Sequence, residues 1–137
     1  ARHMIERGGG GKIVNISSTA GRLGMPRFAA YCASKFAVIG FTQSLAHELA
    51  EHKINVNAVC PGTTLTERTG YIAAALNEQD APTQDATQTM VGSLAEQTPL
   101  GRVAEPEDVA RTVAFLASAE SDYTTGVALL VAGGIQM

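Results

Sequence analysis

The sequence predicts an α/β fold built on a parallel sheet, and three observations carry that prediction. Short β-branched or apolar runs around Ile13, Val56 and Leu130 alternate with helix-length segments. The longest of those segments, Ala29 to Glu51, contains no proline, and Ala33, Ala37, Phe41, Leu45 and Leu49 recur along it at helical spacing. In an alternating pattern of this kind right-handed crossovers make the sheet parallel.

In order, Ala1 to Arg7 reads as the tail of a helix, ended by Gly8 to Gly11 because glycine accepts the left-handed conformation of a C-cap. Lys12-Ile13-Val14-Asn15-Ile16-Ser17 is a strand, and the Ser/Thr/Gly-rich stretch from Ser17 to Gly24 carries it into a loop. The helix over 29–51 spans about six turns. Its Ala29, Ala30, Ala33, Ala37 and Gly40 keep part of the surface small, so another helix or a sheet can approach closely.

Lys53 to Cys60 is the second strand, stopped by Pro61-Gly62. From Thr63 to Arg102 the composition shifts to Thr, Gln, Ala and Glu, with two weak helical patterns broken by Pro82 and Pro99; this stretch is read as a lid over a substrate. Glu105-Pro106-Glu107-Asp108 opens a helix running to about Ser118, with proline and acids in the first turn and Val109, Val113 and Leu116 as the apolar stripe. Gly126 to Val131 is apolar throughout, as expected of a strand covered on both faces.

At 137 residues and 45% hydrophobic content the chain is the size of one small domain with a core. A net charge of −3 without a block of Lys or Arg argues against nucleic acid as a partner. Apolar runs are far shorter than the roughly 18 residues of a membrane span, and residues 1–7 lack the apolar centre of a signal peptide. Cys32 and Cys60 lack zinc or CxxC spacing. Together these features lead us to expect a cytoplasmic protein with two reduced thiols and no membrane contact.

Tyr31 and Lys35 stand four residues apart in the predicted helix, so both project from one face, one turn apart. An ammonium a few ångströms from a phenol favours the phenolate, which suits a tyrosine for general acid/base work. Ser18 lies at the C-terminal end of the first strand, the edge at which ligands bind in open parallel sheets. Ser17 is the alternative serine, but strand alternation aims it at the opposite face.

Residues 13–18 (Ile-Val-Asn-Ile-Ser-Ser) are followed by Ala20-Gly21, Tyr31-Cys32-Ala33-Ser34-Lys35, residues 56–62 (Val-Asn-Ala-Val-Cys-Pro-Gly) and residues 122–126 (Asp-Tyr-Thr-Thr-Gly). This succession closely resembles the short-chain dehydrogenases/reductases, and the resemblance covers the chain from Ala1 to Met137. It implies the C-terminal half of a Rossmann-type, doubly wound parallel sheet with flanking helices and a substrate lid over about 63–102, as one partial domain, 1–137. It also implies a catalytic set, Ser18 polarising the substrate oxygen, Tyr31 exchanging the proton and Lys35 stabilising the tyrosinate. The coenzyme set it implies is Tyr31, Lys35, Pro61, Gly62, Thr64 and Thr66, with Lys35 on the nicotinamide ribose hydroxyls and no metal. The coenzyme would be NAD or NADP, NAD ahead. Substrates would be small alcohols or ketones, first a polyol or vicinal diol such as acetoin, next a 3-oxoacyl thioester, and the assembly a homodimer or homotetramer.

Two departures from the family pattern stand out. The glycine-rich dinucleotide turn, the residue that chooses the coenzyme and the relay Asn are not found, which leads us to expect an absent N-terminal half and a complementary chain or a non-catalytic fragment as the alternative. Gly8 to Gly11 is no substitute, because these glycines close a helix and precede a strand. Second, Ala132 stands before Gly133-Gly134 where the family usually has an acid. His47, Glu48 and His52 are read as a solvated helix face, since histidines five apart splay rather than stack. Cys60 is read as a small buried residue, and Asn15, Asn55 and Asn57 as partners for neighbouring backbone.

Overall fold

The computed structural model describes residues 1–78 and 80–135. Gln79 in the predicted lid, and Gln136 and Met137 at the end of the predicted domain, lie outside the described residues. A short helix α1, Arg2–Arg7, is capped by Gly8 at φ 68° and leads into β1, Gly11–Ile16. The long helix α2, Ala29–Leu49, then returns the chain to β2, Ile54–Pro61. Helices α3, Glu67–Leu76, and α4, Gln84–Gln97, pack on each other before α5, Pro106–Ala117, delivers the chain to β3, Ala128–Val131.

Among the described residues the sheet runs β1-β2-β3, all parallel, with Ile13 opposite Val56, Ile16 opposite Val59 and Cys60 opposite Leu130. β2 is central, and Val56, Ala58, Val59 and Cys60 on it are fully buried. Ala46 and Leu49 of α2 close over Ile54 and Val56, with Met4 and Ile13 packed alongside, while fully buried Leu116 anchors α5. The parallel sheet with flanking helices is as the sequence predicts.

The structure corrects three details. Ala33, Ala37 and Phe41 face outward, Phe41 at 60% exposure, and the inward face of α2 is Cys32, Thr42, Ala46 and Leu49. A strict four-residue spacing overshoots one turn by about 40° per step, so a series that ends on the buried face at Leu49 begins well round the helix from it. Secondly, the last strand has four residues rather than six and is not covered on both faces, Leu129 being 37% exposed; among the described residues it is an edge strand that pairs only with β2. Thirdly, Asn15 donates to the hydroxyl of Thr42 (2.9 Å) rather than to backbone.

Asp108 fixes the start of α5. It accepts from both Arg102 Nη1 (2.6 Å) and Nη2 (3.0 Å) and from the Glu105 N–H (2.9 Å). The guanidinium and that N–H hold its carboxyl well below the usual carboxylate range. A carboxylate depressed in the folded state contributes stability above its unfolded value and loses it as pH falls. Thermal melts should therefore show stability declining as pH drops below about 4, and Asp108→Asn should flatten that acid limb.

Candidate active site

The site is built where β1 ends. The Ser17 N–H extends the ladder to the Val59 carbonyl (2.8 Å), and its buried hydroxyl donates to the Lys35 carbonyl on α2 (2.8 Å). Alternation then turns half-buried Ser18 the other way, into a cleft, where its Oγ accepts from the Ala20 N–H (3.2 Å) and caps a 3-10 turn at Thr19–Gly21. The turn lies hard against α2: a Cβ on Gly21 would fall 2.5 Å from Ser17 Oγ and 2.7 Å from the Lys35 carbonyl oxygen. Gly21→Ala should therefore cost about 1–3 kcal/mol by overpacking. Because the displaced turn carries Ser18, the same substitution should also shift Ser18 within the cleft.

Tyr31 and Lys35 are one turn apart on α2, as their spacing predicts. The Tyr31 ring is half-buried and meets Phe28 edge-on at 6.4 Å. Lys35 Nζ lies 5.7 Å from the Tyr31 ring centroid and donates to the Ile16 carbonyl (3.2 Å), so one cation links the strand end to the phenol.

The opposite wall follows β2. Pro61 ends that strand opposite Val131, and the Gly62 N–H donates to the Val131 carbonyl (2.9 Å). A Cβ on Gly62 would fall 3.0 Å from that of Ala132, so the residue standing where an acid was expected is packed against the turn. Thr64 pairs with Ala104 in an isolated bridge. Thr66 precedes α3 and donates its N–H to Thr69 Oγ1 (3.1 Å), which in turn donates to the Thr64 carbonyl (3.0 Å).

Ser18, Tyr31, Gly62, Thr64 and Thr66 thus line one cleft of about 390 Å³. Lys35 and Pro61 do not line it: Lys35 reaches it through the Tyr31 ring, and Pro61 sets the end of the strand. Two hydroxyl-bearing residues on one cleft, with a cation beside one of them, are suited to proton exchange at an oxygen bound there. Met25 and Phe28, with Ile72 and Leu76 of α3 and Met90 and Leu94 of α4, form an apolar wall.

Arg68 of α3 and most of that wall fall in the stretch read from the sequence as a lid, 63–102, but none of these residues was singled out there. Phe28 carried a signal, three residues before Tyr31; Arg68 carried none, because its approach to Tyr31 depends on how α3 docks. A second cleft of about 230 Å³ holds Arg102, Asp108 and Thr98, whose polar groups already bond within the chain. Cys60 is fully buried, and burial pushes its thiol up, opposed by a bond with Ser17 and the charge of Arg22. His47 and Glu48 are exposed, and His52 lies 3.7 Å from Glu51. Among the described residues no helix is long and apolar enough to cross a membrane.

Residues 1–136 match the family model described as enoyl-(acyl carrier protein) reductase. The chain is 41% identical to human (3R)-3-hydroxyacyl-CoA dehydrogenase over 137 residues, all of this chain and 47% of that protein. It is 43% identical over 128 residues to the (S)-acetoin-forming diacetyl reductase of Staphylococcus aureus, 93% of this chain and 48% of that protein. Among solved structures, the aldohexose dehydrogenase of Thermoplasma acidophilum superposes with a TM-score of 0.88 at 36% identity, over 98% of this chain and 51% of that one. The acetoin dehydrogenase of Salmonella typhimurium gives 0.75 at 38%, over 97% and 46%. The chain spans about half the length of the curated relatives it matches.

Proposed function

The chain belongs to the short-chain dehydrogenase/reductase family of oxidoreductases, and from that premise we propose that its cleft serves hydride transfer between a nicotinamide coenzyme and a small alcohol or ketone. The observation that carries the proposal is the convergence of Ser18 and Tyr31 on one cleft with Lys35 Nζ 5.7 Å from the phenol ring. In this reading Ser18 orients and polarises the substrate oxygen. Tyr31 gives that oxygen a proton in reduction and takes it back in oxidation, while Lys35 stabilises the tyrosinate.

The donors on the cleft, the Tyr31 phenol on one side and the Thr64 and Thr66 hydroxyls at the turn on the other, fit a nicotinamide nucleoside, with the Lys35 ammonium beside the Tyr31 ring though not on the cleft wall. Lys35 and Tyr31 would hold its ribose, and the Pro61-Gly62 turn with Thr64 and Thr66 its carboxamide and phosphate end. The bound coenzyme supplies or accepts the hydride. We propose NAD ahead of NADP, and residues 63–102 as the lid of a single domain spanning 1–137.

For substrate, a polyol or vicinal diol comes first, supported by the names of the acetoin-forming, acetoin and aldohexose relatives. A 3-oxoacyl thioester is the second reading, supported by the human (3R)-3-hydroxyacyl-CoA dehydrogenase. A cytoplasmic dimer or tetramer completes the proposal. Its self-association is supported by the exposed Phe36 and Phe41 beside the small residues of α2, an apolar face that a second copy can cover.

The test is oxidation of NADH and NADPH by protein purified at its natural length, against acetoin, fructose and an oxoacyl thioester, with intact mass measured in parallel. Turnover of acetoin or fructose supports the first reading and thioester turnover the second. A folded protein that oxidises neither coenzyme with any of the three contradicts both and favours a non-catalytic subunit.

A further inference from the structure

Arg68 is a charged group that the reading above leaves unused. It sits in the first turn of α3, whose backbone is tied down by the Thr66–Thr69 bond and by buried Ala73 and Ala74. From there its guanidinium carbon reaches 5.4 Å from the Tyr31 ring centroid. Among the described residues it makes no ion pair, and no other charged side chain lines the cleft. A guanidinium without a carboxylate partner, beside the proton donor and above an apolar wall, presents a planar fork of donors to whatever enters.

We propose that Arg68 selects substrates carrying an anionic group, carboxylate or phosphate, a few bonds from the carbonyl that Ser18 and Tyr31 hold. The inference rests on the reading of the cleft as a carbonyl site and narrows its substrate class to small ketones or polyols that carry an anion, with neutral acetoin and fructose as slower members of that class. The distance sets the span: Lys35 and Arg68 approach the same ring at 5.7 and 5.4 Å, so an anion bonded to Arg68 lies within a short chain of an oxygen bonded to the phenol. Exposed ion pairs are weak, and Arg68 is exposed here. A substrate that fills the cleft against Phe28 and Ile72 excludes water from the pair and strengthens it.

The test compares pyruvate, acetoacetate and levulinate with their methyl esters, and dihydroxyacetone phosphate with dihydroxyacetone, in the wild type, Arg68→Gln and Arg68→Lys. At least one anion should be preferred over its neutral partner, by roughly tenfold or more in kcat/KM. Arg68→Gln should erase that preference and Arg68→Lys restore part of it. Preference for the oxo acids identifies a carboxylate, and preference for the phosphate ester a phosphate. No preference in the wild type, or a preference unchanged in Arg68→Gln, overturns the proposal. So does a higher KM for the coenzyme without change in the anion preference, which would assign Arg68 to the coenzyme phosphates. Calorimetric titration of the same pairs reads the charge selection without turnover. A protein that binds the anion through Arg68 yet reduces nothing therefore refutes the oxidoreductase reading and leaves this one standing.

Discussion

Tyr31→Phe should lower kcat by about 10²- to 10⁴-fold, the usual contribution of a positioned general acid or base. The substitution is nearly silent for the fold. The ring stays against Phe28, and the lost hydroxyl makes no hydrogen bond with the described residues, so the thermal midpoint should not move measurably. Loss of turnover with the midpoint retained separates a chemical role from a structural one. Equal activity in the variant would remove Tyr31 from the proposed mechanism and leave the YxxxK spacing as helix packing.

The largest stability effect is expected at Asn57, which is 1% exposed at the centre of β2. Its Nδ2 donates to the Thr124 carbonyl (2.9 Å), and its Oδ1 accepts from the Val127 N–H (3.2 Å). The side chain thereby ties the central strand to the loop that delivers β3. Asn57→Ala leaves the Val127 N–H without its partner, at a cost of about 1–3 kcal/mol, and opens a cavity at the centre of the strand, while the Thr124 carbonyl keeps its bond from Asn55 (3.1 Å). Chemical denaturation should show a loss of roughly 2–4 kcal/mol, the orphaned N–H and the cavity together. Asn55→Ala, which removes bonds to Asp122 and Thr124 from a less buried position, should cost clearly less, because water can replace them.

How much of this was legible in the sequence depended on how local the cause was. The helix of Tyr31 and Lys35, the strand before Ser18 and the opening of α5 are set by propensity, capping and short spacing, and all stand near their predicted positions. The choice of Ser18 over Ser17 for the cleft was legible too, since strand alternation alone decides which side each takes. The inward face of α2 was not, because a run rich in Ala, Phe, Val and Ile offers more than one plausible stripe, and contact with Ile54 and Val56 selects among them. Arg68 was invisible for the same reason. Its neighbour Tyr31 lies 37 positions earlier in the chain, and only the docking of α3 brings them together. The departure at Ala132 could be read as a missing acid, but not as a methyl packed against Gly62.

The central claim is that this cleft passes hydride between a nicotinamide and a carbonyl while Tyr31 moves the proton. The most direct measurement is reduction of acetoin by protein of natural length with NADH or NADPH carrying deuterium at the transferable position of the nicotinamide C4, followed by mass spectrometry of the diol. The account predicts one deuterium on the new carbinol carbon, with its rate of appearance collapsing in Tyr31→Phe. Product formed without deuterium, or labelled product formed equally fast by Tyr31→Phe, would contradict it.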